Sequence, residues 1–540
     1  MGFLSIMRRL FSLLLTAICV ALTIGVTHAS QRPKLVVNII VGTMKASDLD
    51  RYADNFSMSG FRRLMNEGVC YTNAEYDYAL TTSASGLATF ATGAQPSVHG
   101  VIGEEWWNYL DGSRVELIAD RKVVPVEYST GTGSYSAHRL TAPTLGDMIL
   151  TDSRCKQYTL AMDALSAIVL NGHRGVALWS ESNKGHWVTS TAYLESLPIW
   201  LKQYNKEDSN SKYILKRWTP LYEAYRYHND EVAIIEGIKN KSTKLISGVD
   251  LTLSKDMYGQ MRYTPAGNTM LLELASLLMT IESIGKDEYT DIINVSLDPA
   301  RYIAEVYGPE SMEYEDMLYR LDQDLSKFIT YIRTAIGGSE DVVITLSAGC
   351  GTSPSYDRVG EAERERLNIR QMEVIVNAYL GAHYGSAEYI IGFANNALYL
   401  NHDLIKQKHL ELDAIREEVA VFLLKHNGIA NAISASSLRN TSFAEGRSRL
   451  MQQSFYPTRS GDVLIDLMPG CILDDNDYRS SSAGGYRYDR HVPLIICYSN
   501  TKQSVNRKVS ITEVAPTIAH ILNIETPWAS NSEPLEEFNK

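Results

Sequence analysis

Apolar runs alternate with amphipathic segments along most of the chain, and this alternation predicts strands that are followed by helices. Residues 34–41, Lys-Leu-Val-Val-Asn-Ile-Ile-Val, form a β-branched run that is typical of a strand buried on both faces of a parallel sheet. Further strands are predicted at 158–162, 167–170, 176–179, 291–297, 342–346, 462–467 and 492–497, with strand signals also across 374–394. Helices are predicted around 61–66, from Pro143, and at 268–284, 313–336, 413–425 and 512–521. The alternation implies an α/β protein whose parallel or mixed sheet is covered on both faces.

The sequence pattern changes between residues 196 and 260, where charged residues, Tyr and Trp are frequent and the regular periodicity is lost. We interpret this stretch as a cap or insertion within one domain that spans residues 30–540. Two aromatic segments, Trp106-Trp107 and residues 222–227, are candidates for a partner surface or, more simply, for a rim that packs against the cap.

The first 29 residues have the pattern of a signal peptide. Arg8 and Arg9 precede an apolar stretch at 10–26, and residues 27–29, Thr-His-Ala, resemble a small-residue cleavage site. The apolar stretch is close to spanning length, so an uncleaved anchor is the alternative, but the small-residue end favours cleavage. We therefore expect an exported protein with no stable membrane span after cleavage.

Charge and cysteine usage exclude two classes of protein. The formal net charge of −12 gives a nucleic-acid partner no electrostatic support. The cysteines beyond the leader are widely scattered, with no C-x-x-C pair, at Cys70, Cys155, Cys350, Cys471 and Cys497. This spacing predicts neither a zinc ribbon nor a dense disulfide framework, and the thiols are expected to serve mainly as small buried hydrophobes.

Small hydroxyl residues precede an Ala- and Gly-rich, helix-competent segment between residues 78 and 93. A Ser or Thr at the start of a helix lies beside free backbone N–H groups, and the helix dipole favours an anion there. Ser83 is therefore a candidate nucleophile or part of a phosphate cradle. The alternative is an N-cap cluster on a buried helix, because Ser and Thr are preferred at that position.

Chemistry in open α/β sheets lies in the loops beyond the carboxyl ends of the strands. Four such loops are predicted at 42–43, around Ser83, at 298–305 and at 347–351, and the segment 480–491 is a fifth candidate.

Ten short segments of the sequence occur in the same order, and with similar residues, in one known family. They lie at 32–37, 60–64, 92–100, 265–268, 307–309, 320–325, 399–402, 459–463, 488–493 and 514–517. Together they resemble the alkaline phosphatase superfamily, in particular the secreted phosphate-irrepressible alkaline phosphatases of Bacteroidetes-type bacteria. The resemblance implies a three-layer α/β/α sandwich with a largely parallel central sheet and an inserted cap. It also implies a location in the periplasm or cell envelope of a Gram-negative bacterium.

The family's chemistry uses two zinc ions, which polarise the phosphoryl group and activate a Thr or Ser nucleophile. The resemblance places the nucleophile position on Ser83. It places the six metal-ligand positions on Gly42, Arg301, Glu305, Gly349, Cys350 and Ser482. It places the substrate-gripping positions on Glu104, Asp163 and Leu165.

These substitutions remove most of what the reaction needs. Of the six ligand positions, the two glycines have no side chain, the arginine would repel a cation and the serine is a poor ligand. Only Glu305 and Cys350 remain, and one carboxylate with one thiol cannot hold two adjacent dications. Glu104 and Asp163 also place like charge where a phosphate should lie. No cofactor is therefore expected.

The sequence thus predicts a pseudoenzyme that keeps a phosphatase fold to bind or scaffold an unknown protein partner at the cell envelope. The alternative is a phosphoric ester hydrolase, a phosphomonoesterase or phosphodiesterase, that works through Ser83 with a rearranged or reduced metal site. In that alternative Asp298, Glu104, Asp163 and Cys350 make a new hydrolytic or single-cation site.

Plainer roles compete for several of these residues. Asp298 is otherwise a strand-end cap, as Asp often is in such turns. Cys350 would need a base to act as a nucleophile, and most buried cysteines are inert. His99 and His173 have no partner at metal-ligand spacing, so we expect satisfied core or turn histidines.

Overall fold

The structure is a computed structural model that describes residues 32–128, 133–214, 218–229, 256–360, 366–474 and 478–539. The predicted signal peptide lies outside the described residues, as does the stretch 230–255 of the predicted cap. In the described ranges, no helix is both long and apolar enough to cross a membrane.

Two sheets carry most of the strands. In chain order the strands are β1 Leu35–Val41, β2 Val69–Tyr71, β3 Pro125–Val126, β4 Gln157–Ala161, β5 Val176–Ser180, β6 Trp187–Ser190, β7 Asp291–Leu297, β8 Val342–Ala348, β9 Ile390–Ala394, β10 Ala397–Leu400, β11 Ile429–Ser434, β12 Val463–Leu467, β13 Leu494–Cys497 and β14 Gln503–Val505. The central sheet has the order β14-β2-β13-β8-β1-β7-β4-β5-β6-β3. Its middle, β8-β1-β7-β4-β5, is parallel, and antiparallel pairings flank it on both sides.

Strand β1 lies at the centre of this sheet because its residues are apolar on both faces. All seven of its residues are buried, and it pairs along its whole length with β7 and with β8. Its one polar side chain is satisfied across the three strands: Asn38 Nδ2 donates to Asn294 Oδ1 at 2.8 Å, and Thr345 Oγ1 donates to Asn38 Oδ1 at 2.7 Å. A buried polar group that is paired in this way costs little.

Helices cover both faces of the central sheet. In the described part of the chain, the helices of seven or more residues, including those over the second sheet, are α1 Phe61–Glu67, α2 Ser83–Thr92, α3 Ala164–Asn171, α4 Ile199–Lys206, α5 Ala266–Ile281, α6 Pro299–Tyr307, α7 Met312–Ala335, α8 Ile369–Tyr384, α9 Leu412–Leu423, α10 Gly446–Ser454 and α11 Val514–Ile521. Helices α2, α3 and α11 pack together in one layer, and α1, α5, α6 and α7 form the other. The predicted three-layer α/β/α architecture is confirmed.

The antiparallel sheet β9-β10-β12-β11 has a second, smaller core. Helices α8 and α9 cover it, with Val376, Leu380 and Val419 fully buried against its strands. This unit lies within the span of the single predicted domain.

Two strand predictions are wrong. Residues 167–170 lie inside helix α3, where Asp163 caps the helix by accepting a hydrogen bond from Ser166 N at 2.7 Å. A short buried apolar run fits a strand or a helix equally well, so the sequence pattern alone could not separate them. Residues 374–384 lie inside α8, and only the end of the predicted range, β9, is a strand.

The other predicted strands and helices are confirmed, with small shifts of their bounds. The predicted cap is described in part: it holds α4 and two short 3₁₀ turns at Ser211–Tyr213 and Ala224–Arg226. Its extent remains a prediction.

Candidate functional site

The hydroxyl-rich turn ends where helix α2 begins, at Ser83. The N-cap is Thr82, whose Oγ1 accepts a hydrogen bond from Ser85 N at 3.2 Å. All ten residues of α2 are buried, and Ser83 itself is 7% exposed. The expected N-cap cluster on a buried helix is therefore present, and Ser83 lies in the first turn beside it.

Two glycines end the central strands next to this serine. Gly42 follows β1 and donates its N–H to Leu297 O at 3.0 Å, while Gly349 follows β8 and donates to Val41 O at 2.9 Å. A β-carbon added to Gly349 would lie 3.1 Å from Gly42 O and 3.2 Å from Ser83 Oγ. The structure thus brings together the nucleophile position and two of the six ligand positions.

Arg301, one turn into α6, lies at the centre of a cluster of carboxylates. Its Nη2 lies 3.1 Å from Asp163 Oδ2, and its Nη1 lies 3.7 Å from Glu104 Oε1 and 3.8 Å from Glu305 Oε1. The side chains of Arg301, Asp163 and Glu305 are between 14% and 19% exposed, whereas that of Glu104 is 59% exposed. Burial alone would lower the pKa of Arg301, but Tyr302 and the three carboxylates raise it well above its usual value. The guanidinium is permanently charged.

Hydrogen bonds fix Asp163 and Arg301 relative to each other. Arg301 Nη2 donates to Tyr302 OH at 3.0 Å, and Tyr302 OH donates to Asp163 Oδ2 at 3.0 Å. Burial would raise the pKa of Asp163, but the Arg301 charge and the Ser166 N–H hold it below its usual value. Asp163 is therefore an ionised carboxylate at the N-terminus of α3, where the helix dipole also favours it. Leu165, two residues later, is half-buried against the core.

Sequence reasoning missed this pairing. It treated Glu104 and Asp163 as charges that would repel a phosphate, whereas the structure places both beside Arg301, whose single positive charge offsets part of that repulsion. Arg301 and Glu305 are four residues apart on a helix, which is a signal that could have predicted their pairing. No sequence signal places Glu104 or Asp163 beside them.

Asp298 ties two strand ends together. Its Oδ2 accepts hydrogen bonds from Met162 N at 2.7 Å and Asp163 N at 3.3 Å, and its Oδ1 accepts one from Ser296 Oγ at 2.7 Å. Burial, with the neighbouring Asp163 charge, raises the pKa of Asp298 to about 7. Asp298 has the strand-end role expected of it, joining the ends of β7 and β4.

Cys350 lies in the loop that follows β8 and is fully buried. Its Sγ lies 3.5 Å from Thr43 Oγ1 and 3.8 Å from Gly42 O, and the Ser482 hydroxyl is a further hydrogen-bond partner. Burial raises the pKa of this thiol to about 11, so it is protonated at neutral pH. A protonated, buried thiol is a poor nucleophile.

The histidines singled out in the sequence are satisfied within the fold. His99 Nδ1 accepts from Val101 N at 3.1 Å, and burial lowers the pKa of His99 to about 3, so it is neutral. His173 Nδ1 lies 2.9 Å from Asp147 Oδ2, and its Nε2 lies 2.9 Å from Leu140 O. The predicted core and turn roles are confirmed.

The two aromatic segments pack within the fold. Trp106 is 6% exposed beneath the Arg459 guanidinium, and Trp107 packs against Gly392 of the second sheet. Packing of Trp106-Trp107 against the cap stays a prediction. Tyr222 and Tyr227 both contact the ring of Tyr319 in α7.

The donor set around Ser83 does not fit a pair of zinc ions. Zinc is held by three or four Cys, His or carboxylate groups at about 2.0–2.3 Å. Here both glycines lack a donor side chain, Arg301 brings a positive charge, and Glu305 faces that guanidinium, so Cys350 and Glu305 alone cannot supply the ligands of two ions. Across the residues that the structure describes, no group of three or more His, Cys, Asp and Glu side chains could hold a metal ion.

Known proteins resemble this chain along nearly its whole length. A protein of Myroides odoratus named "Calcium-transporting ATPase" is 28% identical over 540 residues, 97% of this chain and 98% of that one. Alkaline phosphatase PafA of Elizabethkingia meningoseptica is 28% identical over 524 residues, 95% of each chain. The crystal structure of wild-type PafA matches with a TM-score of 0.88, covering 94% of this chain and 99% of that one.

The family model of type I phosphodiesterase / nucleotide pyrophosphatase matches residues 36–487, which is well over half of the chain. The match includes the ends of β1, β7 and β8, the start of α2 and the Arg301 cluster, so it covers the site and most of the central sheet. The chain therefore belongs to the type I phosphodiesterase / nucleotide pyrophosphatase family and is a member of the alkaline phosphatase superfamily.

Proposed function

We propose that this chain is an exported, alkaline-phosphatase-like protein that does not hydrolyse phosphate esters and that keeps the fold for binding or scaffolding at the cell envelope. The observation that carries the proposal is the close approach of Gly349 to Ser83 on one side and to Gly42 on the other. Where zinc ligands would be needed, two strand ends carry no side chain at all.

The chemical consequence follows from what a serine hydroxyl requires. Such a hydroxyl is a weak nucleophile unless a base or a metal activates it. The nearest candidates offer neither: the Cys350 thiol is protonated, and Asp163 is committed to Arg301 and Tyr302. The charge that develops on the phosphoryl oxygens would also lack a Lewis acid.

The proposals of export and of a protein partner both rest on the sequence. The leader-like pattern of residues 1–29 supports export to the periplasm or envelope of a Gram-negative bacterium. The net charge of −12 argues against nucleic acid, so the partner is proposed to be a protein. Purification from the envelope fraction under mild conditions tests this role: a defined co-purifying protein supports it, and recovery only as a free monomer contradicts it.

Hydrolysis assays test the proposed inactivity. The purified full-length protein is incubated with a generic phosphate monoester and a phosphate diester, with zinc added in excess, beside the Ser83→Ala variant. The proposal predicts no turnover above that of Ser83→Ala with either substrate. Turnover that Ser83→Ala abolishes would overturn it.

One observation favours a second candidate, a phosphomonoesterase or phosphodiesterase that works through Ser83. The serine keeps its place in the first turn of a ten-residue helix, where the N–H groups and the dipole stabilise an anion. A protein of this kind would hydrolyse the esters in a Ser83-dependent way. Loss of that turnover on adding a chelator would show that a reduced metal site takes part.

A further inference from the structure

Arg301 joins parts of the chain that are far apart in sequence. Glu104 lies in the loop before the Trp106 strand, Asp163 lies between β4 and α3, and Glu305 lies one turn further along α6. All three carboxylates approach the same guanidinium, at 3.1 to 3.8 Å. Without a cation between them these like charges would repel one another.

We infer that the Arg301 guanidinium is a built-in cation that holds this site together in place of a bound metal ion. The inference deepens the proposed function and rests on it in one respect, that the native site binds no zinc. Arg301 is a positioning residue, because it acts by holding the three carboxylates in place.

The planar fork of the guanidinium suits this task. Nη2 faces Asp163 Oδ2 and Tyr302 OH, while Nη1 faces the two glutamates on the other side. The guanidinium carbon also lies 4.5 Å from the centre of the Tyr302 ring, a cation–π distance. A lysine ammonium, which is a single point charge, could not face both sides at once.

The end of strand β1 lies close to the first turn of α6. A β-carbon added to Gly42 would lie 3.1 Å from Arg301 Cβ and 3.2 Å from Asp298 Cα. Such contacts are tighter than ordinary van der Waals distance, so a side chain at 42 would require α6 to shift by a few tenths of an ångström. A glycine at the end of β1 therefore allows the turn that carries Arg301 to approach the sheet this closely.

Removing the cation from a partly buried carboxylate cluster has a measurable consequence. Breaking a buried pair by deleting one partner leaves uncompensated charge and is strongly destabilising. For Arg301→Ala in a chain of this size we expect a melting temperature lowered by about 3–5 °C. Once the guanidinium is removed, the three carboxylates are free to move together around a divalent cation, which we expect them to accept because hard cations prefer carboxylate oxygens.

The experiment is thermal unfolding of the full chain, measured with a chelator and with added calcium or zinc. Wild type should melt at the same temperature in all conditions. Arg301→Ala should melt lower and regain most of the loss with a divalent cation, and the double variant Arg301→Ala/Asp163→Asn should regain little. A wild type stabilised by zinc, or an Arg301→Ala protein that no cation stabilises, would overturn the inference.

A second variant covers the case in which Arg301→Ala does not fold. Arg301→Lys keeps the charge, so it should fold. Its melting temperature should lie between those of wild type and Arg301→Ala and should not change with added cations. An unfolded Arg301→Lys would contradict the role of charge. Because the readout is the stability of variants, phosphatase activity in the wild type would refute the proposed function separately.

Discussion

Gly86 of helix α2 lies directly against Gly349 at the end of β8, and a β-carbon on Gly86 would overlap the carbonyl oxygen of Gly349. This contact sets how closely the helix that begins at Ser83 approaches the central sheet. The position of the serine is therefore fixed by backbone packing and does not require a bound group.

Replacing Gly86 with alanine should destabilise the protein strongly. The added methyl group meets backbone and cannot be relieved by a side-chain rotation, so we expect a loss of about 3 kcal/mol or more in the free energy of unfolding. Denaturant titration followed by circular dichroism measures it.

Gly381 provides the matched control, since it also lies within a helix. Its nearest neighbour would be Ser386 Cα at 3.5 Å, an ordinary contact. Gly381→Ala should therefore be neutral or stabilising by up to about 1 kcal/mol. If both substitutions cost the same, the close approach of α2 to the sheet is not what Gly86 provides.

Thr82 and Ser83 are expected to differ in what they contribute. Thr82→Ala removes the N-cap hydrogen bond to Ser85 N and should cost about 1 kcal/mol. Ser83→Ala removes a hydroxyl that does not cap the helix, so its cost should be within about 0.5 kcal/mol. Urea titration of the two variants compares them; a larger loss for Ser83→Ala would mean that the hydroxyl has a structural task.

Much of the fold follows from the sequence, and the reason is visible in particular strands. The run at 34–41 is apolar on both faces, and that pattern leaves few alternatives to a central parallel strand. The run at 167–170 is as apolar but too short to show a period, and the cap by Asp163 decides for a helix. This capping hydrogen bond favours a helix, whereas the β-branched residues of the same run favour a strand.

The site was predicted residue by residue but not as an arrangement. The resemblance located the positions at which ligands are missing, including Gly42 and Gly349. It could not show that Arg301 pairs with Glu104 and Asp163, because these contacts join three segments whose proximity in space no local pattern encodes.

Asp298 should make the stability depend on pH. Its pKa is raised to about 7 in the folded protein, against about 3.9 in an unfolded chain, so between these values the folded state holds a proton that the unfolded state does not. Its contribution is therefore greatest at low pH and is lost as the pH rises toward 7, by up to about 1.4 kcal/mol per pH unit.

Asp298→Asn mimics the protonated carboxyl and should not show this loss. Free energies of unfolding measured by urea titration at about pH 5 and about pH 8 should diverge, with wild type losing stability relative to the variant as the pH rises. A difference between the two proteins that stays constant over this range would show that Asp298 keeps its charge when folded.

Cys350 should resist alkylation in the folded protein. With its pKa raised to about 11 by burial, very little thiolate exists at pH 7–8, and the sulfur is fully buried. Mass-spectrometric mapping after iodoacetamide treatment should find Cys350 labelled only after denaturation. Rapid labelling of native protein at neutral pH would revive the reactive-thiol hypothesis.

The central claim is that the positions around Ser83 no longer form a dinuclear zinc site. Its most direct test is the zinc content of the full-length protein, measured by plasma mass spectrometry after incubation with excess zinc and removal of free metal. We expect far less than one zinc ion per chain, and the same value for Ser83→Ala. Two tightly held zinc ions per chain would contradict it.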